Sequence, residues 1–222
     1  MTPLYILASS CLSPQATFGQ TTWPLQPIGY RNRLTCIEPD FRAYINPVQI
    51  RRMSRILKIG YSTAIHCLQQ RKDQQVDAML IGTGRGCLED TEHFLHDLQT
   101  YQETALNATH FIHSTYNQLN GMIALHRKIS TYNMTYVHRG FSFEHALLDA
   151  ALLMAEEQAD TVLCGSFDEM TEEHFQVKQQ WGYWKTEELN TLELFQHPTN
   201  GCVAGEGAAF FLLSRQPGST TR

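Results

Sequence analysis

Charge of either sign is sparse in this chain: 18% of its 222 residues are Asp, Glu, Lys or Arg, and the net charge is −5. Nothing in that balance points to nucleic acid or an anionic membrane as the main partner. Its six cysteines, at 11, 36, 67, 87, 164 and 202, form no C-x-x-C pair and read as reduced thiols, several of them inside apolar stretches. The opening "MTPLYILASS" has no basic flank, since the first positive side chain is Arg31, so neither a signal peptide nor a lipid-attachment site at Cys11 is expected. No apolar run approaches bilayer length. Together these absences predict a cytoplasmic protein. Repeats and low-complexity tracts are also missing. With 42% hydrophobic residues, the chain has material for one substantial core, and residues 1–222 are expected to form one domain.

Residues 4–8 read as an opening strand, and "SPQATFGQTTWPLQPIGYRN" as a loop rich in Pro, Gly and Thr. Asn46-Pro47 has the chemistry of an N-cap followed by proline at the first helical position. It predicts a helix to about Gln70, with Ile50, Met53, Leu57, Tyr61, Ala64, Ile65 and Leu68 on its core face. "VDAMLIGTGRG" is a buried strand entering a glycine turn, followed by a helix carrying Leu88, Thr91, Phe94, Leu95 and Leu98. A further helix is expected over 114–126, a strand in "TYNMTYVHR", and another over 160–165. The stretch 167–200 reads only as a loose excursion. "CVAGEGAAFFLLS" closes the chain as a buried strand. Strands alternating with helices predict an α/β fold: a mixed, mostly parallel sheet covered by helices on both faces.

Several constellations invite a chemical reading. Gly82-Thr83-Gly84-Arg85-Gly86 stands where backbone amides cradle phosphates, but its spacing matches neither the dinucleotide fingerprint nor a phosphate loop with its lysine. A tight turn is the plainer reading, and no cofactor is expected. His93, His96, His110 and His113 have spacings that place imidazoles on one face, yet no third ligand is specified, and no metal is expected. Glu206 lies in a glycine turn, where it would accept backbone hydrogen bonds. Arg51, Arg52, Arg55 and Lys58 form a basic cluster suited either to an acidic carrier protein or to plain solvation.

The helix after "TYNMTYVHR" is the most informative element. From 146 to 155 it reads ALLDAALLMA, with Asp149 its only polar residue. A helix apolar nearly all round needs cover on more than one side, because burying each Leu or Met contributes about 1.5–3 kcal/mol. That cover would come from a partner or from the excursion at 167–200, with Trp181, Tyr183 and Trp184 as a lid.

In "YVHRGFSFEHALLDAALLMAEEQADTVLCG" the chain resembles the amino-terminal half of β-ketoacyl synthases, the condensing enzymes of fatty-acid and polyketide synthesis with a thiolase-like fold. In that family an Ala-Leu pair lies six and seven positions after the nucleophilic Cys; here Ala146-Leu147 stands at that distance from Gly140, and Asp160, "TVLCG" and Gly165 follow without gaps. "RRMSRILKIGYSTA", "IGTGRGCLEDTEHF", Asn117 and "NGCVAGEGAAFFLLS" resemble further family segments in the same order. The resemblance therefore puts glycine at the position of the catalytic thiol. It also implies that the carboxyl-terminal half, with the family's two catalytic histidines, does not belong to this chain.

The resemblance is specifically to short, Cys-lacking, chain-length-factor-like homologues associated with bacterial aryl polyene and flexirubin pigments. It implies a non-catalytic subunit that pairs with a full-length β-ketoacyl synthase, and it maps the partner interface to Asn117, Tyr132, Met134, Tyr136, His138 and Arg139. An acyl carrier protein docking at Arg51, Arg52, Arg55 and Lys58 is a further implied contact. Two other readings stay open: a small transferase or hydrolase rebuilt around Ser142, His145 or Cys164, and a free-standing carrier- or ligand-binding module. "GSTTR" reads as a fraying end, with continuation past Arg222 left open.

Overall fold

A computed structural model describes residues 3–22 and 28–218. In chain order the elements are β1 (Tyr5–Leu12), β2 (Gly29–Tyr30), α1 (Pro47–Ile50), α2 (Arg55–Gln69), β3 (Ala78–Gly82), α3 (Leu88–Tyr101), α4 (Ala108–His113) and α5 (Gln118–Arg127). Then follow β4 (Tyr132–Tyr136), α6 (Ser142–Ala155), β5 (Thr161–Asp168), α7 (Glu172–Gln180), β6 (Leu189–Asn190) and β7 (Gly207–Ser214). Five strands form one sheet in the order β1-β7-β5-β3-β4, and β2 pairs with β6 apart from it.

The sheet is mixed, as expected. β5, β3 and β4 run parallel, while β7 runs antiparallel to both β5 and β1. Alternation along the central strands supplies two cores. Met79 and Ile81 of β3 and Leu163 and Phe167 of β5 join Ile56, Leu57, Ala64 and Leu68 of α2 and Leu119 and Ile123 of α5 on one face. Ala78 and Leu80 with Val162 and Cys164 meet Ala146, Ala150 and Met154 of α6 on the other. Since both faces of β3 and β5 are covered, these strands read as continuous apolar runs.

Four expectations change. The helix begun at Pro47 breaks at 51–54: Asn46 caps α1 by accepting from Val48 N–H, and the turn buries Met53 before Ser54 starts α2. The helix expected over 114–126 starts at Gln118, and a separate α4 precedes it, capped by Asn107. The stretch 167–200 is ordered by α7 and β6: Thr171 caps α7, Trp184 Nε1 donates to the Phe175 carbonyl at 2.9 Å, and the two rings stack at 5.7 Å. The closing strand begins at Gly207, and Cys202 and Ala204 make only isolated bridges to Trp184 and Arg33. The loop reading at 23–27 and the fraying end at 219–222 lie outside the described residues.

The two edges of the sheet differ. Three carbonyls of β1 are taken by side chains: Arg71 Nε donates to Leu7, Gln70 Nε2 to Ser9 and Thr17 Oγ1 to Cys11. Such capping closes an edge against strand addition. β4, at the opposite edge, is short, and its residues 132–134 are exposed.

Candidate functional site

The parallel strands β3 and β4 end at a turn that leads into α6. The chain crosses it through Arg139, whose φ of 51° lies in the left-handed region, and a short 3-10 segment, Arg139–Phe141. Ser142 locks this turn. Its buried hydroxyl lies 2.8 Å from the Thr83 carbonyl and 3.0 Å from that of Arg139, and accepts from His138 N–H at 2.9 Å. β3 approaches so closely that a Cβ on Gly82 would sit 2.6 Å from the Ser142 carbonyl carbon. Gly140 is different: a Cβ there meets nothing within 4 Å. The turn has room for a side chain and presents none.

Around the turn lies an exposed, largely apolar face. It comprises Tyr132 and Met134 of β4, Val137, Phe141, and Leu147, Leu148 and Leu152 of α6, with Leu148 57% and Leu152 51% exposed. The sequence-expected side is thus bare. Trp181 and Tyr183 are themselves exposed and Trp184 stacks on α7, so this trio is no lid for α6, which packs on β3, β5 and β4. Asp149, the one polar residue of the run, accepts from Tyr136 Oη at 2.8 Å and Tyr132 Oη at 3.2 Å, tying α6 to the edge strand. Burial and then the Asp149 carboxylate push the Tyr136 phenol well above its ordinary range.

Of the residues mapped to a partner face, Tyr132, Met134, Tyr136, His138 and Arg139 come together here. Asn117 stands exposed at the start of α5 without a side-chain capping bond. The asparagine that serves β4 is Asn120, buried, donating to the Met134 carbonyl at 2.9 Å and to Thr135 Oγ1 at 3.2 Å. Asn120 lies one turn beyond Asn117, and its buried place in the inward stripe with Leu119 and Ile123 was the available signal.

The glycine turn at 82–86 already holds an anion, the chain's own. Asp168, at the end of β5, accepts from Gly84 N–H at 2.9 Å, Arg85 N–H at 3.2 Å and Thr83 Oγ1 at 3.1 Å. Burial raises the Asp168 carboxyl above its ordinary range, opposed by these bonds. The amides that would cradle a phosphate are therefore occupied.

The basic cluster also divides. Arg55 forks onto Glu206, with Nη1–Oε2 at 2.8 Å and Nη2–Oε1 at 2.6 Å, and contacts Glu38 as well, while Glu206 accepts from Cys36 N–H at 2.9 Å. Arg55 is thus a structural partner of the buried carboxylate rather than a free docking cation. Arg51 and Arg52 are exposed on the turn between α1 and α2, and Lys58 is half-buried.

Three of the four histidines come together: His93 and His110 pack edge to face with ring centroids 5.0 Å apart, and His110 Nδ1 and His113 Nδ1 lie 3.3 and 3.7 Å from the buried Asp90, while His96 Nε2 stands apart on Glu173 at 2.7 Å. Burial opposes ionisation of Asp90, but its polar neighbours His113, Ser54 and His110 hold the carboxyl below the ordinary range. Among the described residues no group of three or more His, Cys, Asp and Glu side chains is placed to hold a metal ion.

The residues of a rebuilt enzyme site do not converge. Ser142 Oγ is engaged by backbone groups, and burial pushes the Cys164 thiol up to about 12, where it is a poor nucleophile. His145 is exposed beside Tyr136 and His138. All six cysteines are free, four of them buried. A cavity of about 500 Å³ lies at the far edge of the sheet, lined by Ser10, Cys11, Thr17, His66 and Gln70, away from the turn. No helix among the described residues is long and apolar enough to cross a membrane.

Comparison with known proteins places this architecture. No curated protein matches the chain. The ishigamide ketosynthase/chain length factor matches with a TM-score of 0.71 at 19% identity, over 95% of this chain and 62% of that one. The ketosynthase ApeO in complex with its chain length factor ApeC, from Xenorhabdus doucetiae, matches with 0.65 at 18% identity, over 97% and 80%. AntDE:AntF, a type II PKS acyl-carrier protein in complex with its ketosynthase bound to the hexaketide, matches with 0.74 at 16% identity, over 95% and 62%. The chain thus spans less than two thirds of the first of these, and the shared property at such identities is the thiolase-like fold. The family model of the β-ketoacyl synthase N-terminal domain matches residues 22–187. With three quarters of its length under that model and the sheet, turn and helix arranged as described, the chain belongs to the β-ketoacyl synthase family.

Proposed function

We propose that the protein is a non-catalytic, chain-length-factor-like subunit that pairs with an active β-ketoacyl synthase in type II polyketide, aryl polyene or fatty-acid-like synthesis. The observation that carries this reading is Gly140. It stands on the turn where the family resemblance places the nucleophilic Cys, on a fold kept intact around it, with open space where a side chain would project. A condensing enzyme needs a thiolate there to hold the acyl chain. Cys164, the nearest thiol in sequence, is buried.

Pairing is supported by the asymmetry of the sheet edges and by the bare face of α6. Extended strands add readily to an uncapped edge, and Tyr132, Met134 and the α6 leucines offer apolar surface beside it. The partner would cover that face, while residues 132–139 would lie against the partner's acyl tunnel and help set product length. Residues 1–222 would supply the architecture of the amino-terminal half to the pair, the condensation chemistry residing in the partner. Carrier docking, if it uses the original cluster, would fall to Arg51, Arg52 and Lys58, because Arg55 is engaged internally.

The test is co-expression with each full-length ketosynthase of the same genome, followed by light scattering after size exclusion. A one-to-one complex with condensing activity absent from either chain alone is expected. A chain that remains alone at equal concentrations of every one of them overturns the reading.

A further inference from the structure

The proposed pairing face contains two histidines that no packing argument requires. His138 lies in the turn after β4 and His145 on the first turns of α6; both are exposed, and their rings are 4.8 Å apart. His138 also lies against Phe141 at 5.9 Å, and Tyr136 stacks on His145 at 6.3 Å. His145 precedes Leu148 and Leu152 by three and seven residues, so the imidazole heads the same exposed stripe of α6. The histidine pair therefore sits inside the apolar face, beside the open strand edge.

We propose that His138 and His145 make pairing through this face pH-dependent, the complex forming with neutral imidazoles and releasing when they take up protons. The inference rests on the pairing proposed above. Two imidazolium ions this close repel each other, and each must be dehydrated to enter an apolar interface.

The charges around the pair are of both signs. Arg139, next to His138, adds a third positive charge. From α6, Asp149 is held by the Tyr136 and Tyr132 hydroxyls, and Glu144, adjacent to His145, is exposed. On β5, Asp168 is bound to the Gly84 and Arg85 amides, and Cys164 is a buried thiol whose pKa burial raises to about 12. Arg85 is the remaining cation on the neighbouring turn. Glu144 and Asp149 are the two carboxylates of α6, set against Arg139, and it is the close approach of the two imidazoles and the cost of dehydrating them that decide the direction.

Histidine is the side chain whose charge changes around neutral pH, so an interface admitting only neutral imidazole weakens as pH falls from 7.5 to 5.5. The experiment measures the dissociation constant of the complex with the partner ketosynthase at both pH values, for the wild-type chain and for His138→Gln with His145→Gln. The ratio within each protein is the readout, so a change in affinity common to both pH values cancels. A ratio well above 1 for wild type, reduced to near 1 in the double variant, is expected. A wild-type ratio near 1, or a ratio unchanged in the variant, overturns the inference while leaving the pairing intact. Absence of a complex at pH 7.5 overturns the pairing itself and this inference with it. Should the double variant not fold, calorimetry of the wild-type complex at pH 6 in buffers of different ionisation enthalpy gives the same decision: protons released on binding support the switch, and none released refutes it.

Discussion

Ser142 Oγ bridges the end of β3 to the start of α6, 2.8 Å from the Thr83 carbonyl, while accepting from His138 N–H at 2.9 Å. One buried hydroxyl thus fixes the turn on which Gly140 sits. Ser142→Ala leaves that amide and carbonyl without their partner, and an unsatisfied buried polar group costs about 1–3 kcal/mol. Urea denaturation is expected to show a loss of that size, with faster hydrogen exchange at His138. Unchanged stability would mean that backbone contacts alone hold the turn.

Gly140→Cys should be accepted by the fold. A Cβ there meets nothing within 4 Å, and Gly140 is not among the positive-φ glycines. The variant is expected to unfold within about 0.5 kcal/mol of wild type, as surface substitutions usually do, and to add one fast-reacting thiol in a thiol titration. Gly82→Ala, whose Cβ would press on the Ser142 backbone at 2.6 Å, should instead be strongly destabilised. The contrast separates a glycine required by packing from one that simply lacks a side chain.

The Arg55–Glu206 fork predicts an acid limb of stability. Burial pushes the Glu206 carboxyl up, but the Arg55 hydrogen bonds and the Cys36 amide outweigh it and hold the carboxyl below its ordinary value. A folded-state value below the unfolded one stabilises above the ordinary carboxylate range, and that stability is lost as pH falls through the depressed value. Glu206→Gln should flatten the dependence on the acid side of the ordinary carboxylate range. Arg55→Ala, which strands a carboxylate whose side chain is 1% exposed, should cost about 3–5 kcal/mol at pH 7.

Glu169 predicts the opposite sign. It is buried and accepts from Glu89 N–H at 3.0 Å at the start of α3, and burial raises its carboxyl to about 8. Because the folded value exceeds the unfolded one, its contribution is complete at low pH and declines as pH rises from the ordinary carboxylate range through about 8. Denaturation midpoints across pH 5–8 should fall less steeply in Glu169→Gln than in wild type. Identical slopes would assign the decline to other groups.

Periodicity made much of this architecture legible. The continuous apolar runs at 78–82 and 160–165, the apolar helix over 146–155 and the need to cover it were all visible in the chain, because burial on both faces leaves few polar positions. What stayed hidden depends on partners distant in sequence. Asp168 occupies the glycine turn from 84 residues away, and Glu206 captures Arg55 across 151 residues; no local pattern announces either bond. α7 was missed because only one of its residues, Phe175, is buried, so its apolar signal is too thin for a helical period. The break at 51–54 was masked by apolar residues that continue at helical spacing through Met53. The role of Asn120 was hidden because its bonds to Met134 and Thr135 form only when β4 lies beside α5.

The central claim is that β4 is the edge that receives a ketosynthase partner. Hydrogen exchange of the β4 amides, compared in the free chain and after mixing with the full-length ketosynthase partner, tests it most directly. The account predicts that protection at residues 132–136 and along the exposed stripe of α6 rises on complex formation, while β1, with its edge carbonyls already capped, stays unchanged. A complex that forms while leaving β4 and α6 exchanging at their free rates would contradict it.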